Sequence, residues 1–83
     1  MTVIQPNLFI LFERFPERTE AIKMLFKNNE SFKILCKDYH RCGETLQHWN
    51  RSLDEVAPAR VREYEALLHE LEEEILQNVD ASI

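Results

Sequence analysis

Glycine is nearly missing from this chain: Gly43 is the only one among 83 residues, and proline occurs three times. Folds built from many short strands need frequent turn residues, so this scarcity favours a few long helices. It also removes the glycine-rich loops that cradle phosphate groups. Cysteine is sparse as well. Cys36 and Cys42 lie six residues apart, and on one helix they point to different faces, so a disulfide between them would disrupt the helix. They read as two buried thiols of a reducing compartment. No stretch approaches the roughly 18 consecutive apolar residues of a membrane span. The apolar run of residues 8–12 has no basic segment before it and no small-residue cleavage site after it. A secretory signal is therefore not expected, and the cytoplasm is the expected location. Positive charge is also short. Ten Lys and Arg stand against fifteen Asp and Glu, for a net charge of −5, with no basic cluster. This argues against nucleic acid as a partner, and an anionic membrane surface would repel most of the molecule.

What is present is a three-four rhythm of apolar residues. Phe32, Leu35, Tyr39, Cys42, Leu46, Trp49 and Leu53 form one ladder, and Val61, Tyr64, Leu68, Leu71 and Ile75 form a second. Two matched seams separated by a short gap predict two helices zipped along one face. Ser52 with Glu55 three residues later has the form of a capping box, and Pro58 suits a first helical turn. Both cues place the reversal between Arg51 and Ala59, with a return helix over residues 58–79. Lys27, Lys33 and Lys37 near the start of the outgoing arm would face Glu70, Glu72, Glu73 and Glu74 near the end of the return arm only if the arms run antiparallel. Such exposed pairs contribute only about 0–1 kcal/mol each, so they set orientation more than stability. Gly43 lies inside the first ladder at a cost of about 1 kcal/mol relative to alanine, unless it admits a close neighbour.

Upstream, Phe15-Pro16-Glu17 marks a helix start, followed by Ile22, Leu25 and Phe26 on one stripe. Asn28-Asn29 interrupts that stripe, and asparagine caps helices better than it extends them. A break here is expected, with one unbroken helix over residues 16–51 as the alternative. Residues 1–14 form an apolar lead-in. Val3, Ile4, Leu8, Phe9, Ile10, Leu11, Phe12 and Phe15 are too apolar for a free tail. They either fold over the two helices or dock on a second subunit, completing a bundle.

The order Phe15-Pro16-Glu17, Ile22, Leu25, Asn29, Phe32, Leu35, Tyr39 and Leu46, with Glu70-Leu71-Glu72-Glu73-Glu74-Ile75 in the return helix, resembles the YdcH-like family of small bacterial proteins. The resemblance covers the chain after residue 14. It implies a helical hairpin of uncharacterised function and supplies no catalytic or cofactor-binding residues. Cys42-Gly43 stands where that family usually has leucine and aspartate. The return helix here is acidic where the family's is lysine-rich, and the lead-in is an addition.

Candidate chemistry is thin. Cys36 and His40, at i and i+4, share a helix face, and Cys42 and His48 are the nearest further ligand types, yet four such side chains do not converge from one straight helix. Neither a nucleophile elbow nor a His-Glu-x-x-His helix is present. His48, His69-Glu70 and Glu73-Glu74 read as solvated faces. The resulting expectation is an all-α protein: an antiparallel, coiled-coil-like helical hairpin with a short N-terminal helix, comprising the lead-in at 1–14 and one domain at 15–83. It is expected to be a non-enzymatic protein–protein interaction module without cofactor, binding another protein or itself. The candidate contact residues are Leu8, Phe9, Leu11, Phe12, Phe15 and Trp49. The runner-up is a metal-binding or redox-sensing protein using Cys36, His40 and Cys42. Peripheral membrane association through residues 8–15 is a third class, disfavoured because Glu13 and Arg14 balance there instead of forming a basic stripe.

Overall fold

Proline decides the first corner. Pro16 disfavours helical backbone at the residue before it, and Phe15 adopts φ −129°, ψ 67°. In the computed structural model, which describes residues 6–81, this corner separates α1 (Pro6–Arg14) from a single 3-10 turn (Pro16–Arg18) that leads into α2 (Thr19–Asn28). The helix expected to start at Phe15-Pro16-Glu17 thus begins with that tighter turn. The Thr19 hydroxyl donates to the Pro16 carbonyl at 2.9 Å, and the Arg18 N–H bonds Phe15 O at 3.1 Å. Residues Val3 and Ile4 of the lead-in lie outside the described residues.

Asn29 makes the second corner. Its backbone is extended at φ −131°, ψ 111°, and its side-chain Oδ1 accepts from the Phe32 N–H at 3.0 Å. That bond satisfies one of the orphan donors at the start of α3 (Glu30–Asn50). The alternative of an unbroken helix through this point does not hold.

The third corner is built differently from the expected capping box. The Asp54 N–H donates to Ser52 Oγ at 3.1 Å, and Asp54 Oδ1 accepts from the Val56 N–H at 3.0 Å. The Ala57 N–H closes the turn onto Asp54 O at 3.1 Å. α4 (Ala57–Ala81) starts five residues beyond Ser52, too far for a serine cap; Asp54 instead holds the turn that leads into the helix, and Glu55 stays exposed. Leu53, expected as the last rung of the first ladder, falls in this turn beyond the end of α3. It is 102% exposed relative to a reference chain.

The fold is all-α: four α-helices and no strand among the described residues. α3 and α4 share the largest helix–helix contact, and α1 and α2 pack on α3 and on each other. The core sits at one end of the α3–α4 pair. Leu11 from α1, Ile22 and Phe26 from α2, Phe32, Leu35, Cys36 and Tyr39 from α3, and Ile75 and Val79 from α4 are buried together. Residues 8–12 of the lead-in therefore fold back onto the same molecule, because a pair of helices offers no third wall for Phe32 and Ile75 and α1 with α2 provides it. Burial of each large apolar side chain contributes roughly 1.5–3 kcal/mol. Toward the third corner Leu46 and Trp49 are only half-buried, since nothing overlies that part of the pair among the described residues.

Ion pairing also departs from expectation. Among the described residues Lys27, Lys33 and Lys37 make no bridge to Glu70, Glu72, Glu73 or Glu74. Lys33 instead reaches back to Glu30 at 3.5 Å and lies over the Phe26 ring at 5.9 Å. The bridges to α4 come from the N-terminal segment: Arg14 to Glu72 at 2.6 Å and Arg18 to Asp80 at 3.0 Å. The seams were legible, but with α1 folded back it is Arg14 that stands against the acidic helix, at Glu72.

Gly43 has no close neighbour, and a methyl group there would meet nothing within 4 Å. Gly43→Ala is expected to stabilise the protein by about 1 kcal/mol in urea unfolding. Leu11→Ala should cost about 2–5 kcal/mol in the same measurement, whereas Phe9→Ala, at a side chain 52% exposed, should stay within about 0.5 kcal/mol.

Candidate functional site

Among the grooves on the described surface, three stand out. The first, about 460 Å³, lies where α1 crosses the α3–α4 pair and is lined by Ile10, Glu13, Arg14, Tyr39, Leu68 and Glu72. The second, about 340 Å³, is at the third corner, between Trp49, Leu53, Asp54, Ala57, Pro58 and Val61. The third, about 300 Å³, runs between α3 and α4 on the side away from α1, with Asp38, Arg41, Cys42 and Thr45 on one wall and Tyr64, Leu67 and Leu71 on the other.

The first groove holds the only tight polar cluster among the described residues that joins α1, α3 and α4. Glu72 accepts from Arg14 Nε, and this contact holds the guanidinium above its ordinary pKa. Tyr39, buried beneath them, has its phenol pushed up to about 12, chiefly by burial and secondly by the Glu72 carboxylate. A phenol locked in its protonated form is a structural donor, not a base, at neutral pH.

The thiols are equally quiet. Burial alone raises Cys36 to about 12, and it also raises Cys42. Cys42 Sγ donates to the Tyr64 carbonyl across the helix pair at 3.5 Å. A thiol needs its thiolate form to react or to ligate metal, and burial works against that. His40 directs Nε2 to Glu44 Oε1 at 2.7 Å, away from Cys36, while its Nδ1 is buried without a hydrogen-bond partner. Cys36, His40 and Cys42 do not converge: among the described residues no group of three or more His, Cys, Asp or Glu side chains is placed to hold a metal ion. His48 makes an edge contact with the Trp49 ring at 5.2 Å between centroids, and His69 pairs with Glu73 at 3.0 Å.

The expected contact residues divide. Leu11 is in the core, and Leu8, Phe12 and Phe15 pack against it. Only Phe9 from that group is largely open, and Trp49 is half-buried beside the second groove. The surface that sequence reasoning passed over is elsewhere. Leu53 and Val56, the latter 47% exposed, cap the third corner. Ile34 and Leu67, 56% and 42% exposed, lie on the two walls' helices on the side of the third groove. Position 34 shares a helix face with 38, 41 and 45, a periodicity readable from sequence but masked by the stronger seam. No helix among the described residues is long and apolar enough to cross a membrane.

Tyr39 and Cys36 make stability depend on alkaline pH. Both folded values exceed the ordinary ones of 10.0 and 9.0, so the unfolded chain loses these protons first. Their contribution is fully present below about pH 9 and is lost as pH rises toward about 12. Ultraviolet titration should show one tyrosine ionising near 12, and Glu72→Gln should lower that value while leaving it above 10.0, because burial is the larger cause. No family model, curated protein or solved structure matches the chain.

Proposed function

We propose that this protein is a non-enzymatic helical interaction module. In this reading α3 and α4 form an antiparallel, coiled-coil-like hairpin clamped at one end by α1 and α2, with the other end offered to a protein partner. Three features support the hairpin: Phe32 and Leu35 share a core with Ile75 and Val79, Cys42 touches Tyr64 midway, and residues 51–56 turn the chain at the far end. The kinship with YdcH-like proteins belongs to the same reading. Its marker residues have structural duties here, Pro16 at the first corner, Asn29 as a cap and Phe32 in the core.

The observation that carries the functional proposal is Leu53. A leucine fully in solvent at a turn, beside Val56 and over a groove walled by Trp49, Pro58 and Val61, has nothing to pack on within the described residues. Exposed apolar clusters rimmed by polar groups mark contact sites, and the tryptophan that lines this groove is of the residue type that dominates binding energy. The acidic α4 and the balanced lead-in favour a protein over a membrane surface.

The double variant Leu53→Asp, Val56→Asp tests this. It should melt within a few degrees of wild type, since neither side chain is buried, and it should lose a saturable partner captured by wild type from the source cell. Reconstitution with that partner, purified, should give a defined complex with wild type and none with the variant in light scattering. A complex that survives the substitutions, or the absence of any saturable partner, would refute the proposal.

A further inference from the structure

The α3–α4 pair has two broad sides. One is covered by α1 and α2, which complete the core. The other carries the groove of Cys42, Tyr64, Leu67 and Leu71, with Ile34 and Leu67 among the most exposed large apolar side chains described. We propose that this open side is the contact between two copies of the protein, related by a two-fold axis. The proposal deepens the interaction-module reading and rests on it, but it uses a different surface from the third corner.

Charge supplies the reason for a second copy as the occupant. Asp38 and Arg41 stand one helical turn apart on the α3 wall of the groove, and neither side chain forms an ion pair among those found between the described residues. An isologous contact pairs residue i with j and j with i. An axis lying in the open side and crossing the helices between Asp38 and Arg41 sets each aspartate opposite the arginine of the other copy. On α4 the same axis sets Leu67 against Leu71 of the other copy, because Leu67 and Leu71 flank the same stretch of groove. One operation thus satisfies both the apolar stripe and the two unpaired charges. An unrelated partner would need a surface independently matched to both.

The size agrees. α3 has 21 residues, about 32 Å of helix at 1.5 Å per residue. Two packed helices are on the order of 20 Å across. The flat footprint is then about 600 Å², and side-chain relief brings the accessible area close to the ~800 Å² that each partner of a standard interface contributes. The resulting assembly is a four-helix layer of two α3–α4 pairs, with each copy's α1 and α2 outside.

Sedimentation equilibrium of the full chain over a concentration series is the test, with circular dichroism confirming that each variant is folded. Wild type should show twice the 9.9 kDa chain mass. Leu67→Asp should be a monomer throughout. Arg41→Asp, at an exposed position with no role in the fold, should raise the dissociation constant by about tenfold or more, because it sets like charges against each other twice per dimer. The exchange Asp38→Arg, Arg41→Asp should return it to within about threefold of wild type, since opposite signs again face each other. A wild-type monomer across the series overturns the two-fold contact and leaves the third-corner proposal to its own complex assay. A dimer indifferent to Leu67→Asp and Arg41→Asp overturns the choice of surface, and one abolished by Leu53→Asp, Val56→Asp assigns self-association to the third corner instead. Failure of the exchange to restore binding overturns the charge pairing.

Discussion

Two helices lying side by side bury a line, not a volume. The protein acquires a core only where Leu11 and Ile22 are laid across the start of α3 and the end of α4, sealing Phe32, Ile75 and Val79. Every other feature follows from the position of that closure. It is at one end, so the helix pair is closely packed there and half-covered beyond Cys42. Small chains reach stability by maximising packed apolar area per residue or by associating, and here the first strategy is applied to one end of the molecule, leaving surface for the second.

The polar groups are arranged to reinforce that closure. Arg14 and Arg18 bridge to Glu72 and Asp80 and fasten the N-terminal segment along α4. These are surface bridges, screened by salt and individually weak; they orient the segment, while Leu11 and Phe15 hold it. Buried Tyr39, Cys36 and Cys42 all favour their neutral forms, so the interior is a place where ionisation is resisted. That is the character of a packing interior, and it agrees with a reading of function centred on the surface.

Much of this was written in the spacing of residues. The ladders from Phe32 and from Val61 do lie on two packed helices, and Asn29 does cap where an asparagine between two apolar phases should. Where Leu53 was misplaced the cause is plain: periodicity carries no information on where a helix stops. Leu53 continues the ladder's arithmetic yet lies past Asn50, in a turn governed by the side chains of Ser52 and Asp54. Lys27, Lys33 and Lys37 were expected opposite the acids of the return helix, but Lys33 pairs with the nearer Glu30, and Glu72 takes Arg14 because α1 folds back. The candidate surface was the least legible part. Hydrophobicity alone pointed to the lead-in, whose Leu11 enters the core while Leu8 and Phe12 pack against it, and the residues left outside, Ile34, Leu53 and Leu67, look ordinary until the three-dimensional arrangement shows what fails to cover them.

Leu11 of the first described helix shares one core with Ile75 and Val79 of the last. During synthesis α1 emerges before α3 and α4, so its apolar side chains stay without their final companions until α4 has been made. Contacts so far apart along the chain form slowly, and exposed apolar segments are prone to aggregate while they wait. The Pro16 corner fixes in advance the direction from which that segment returns, which shortens the search the nascent chain must make.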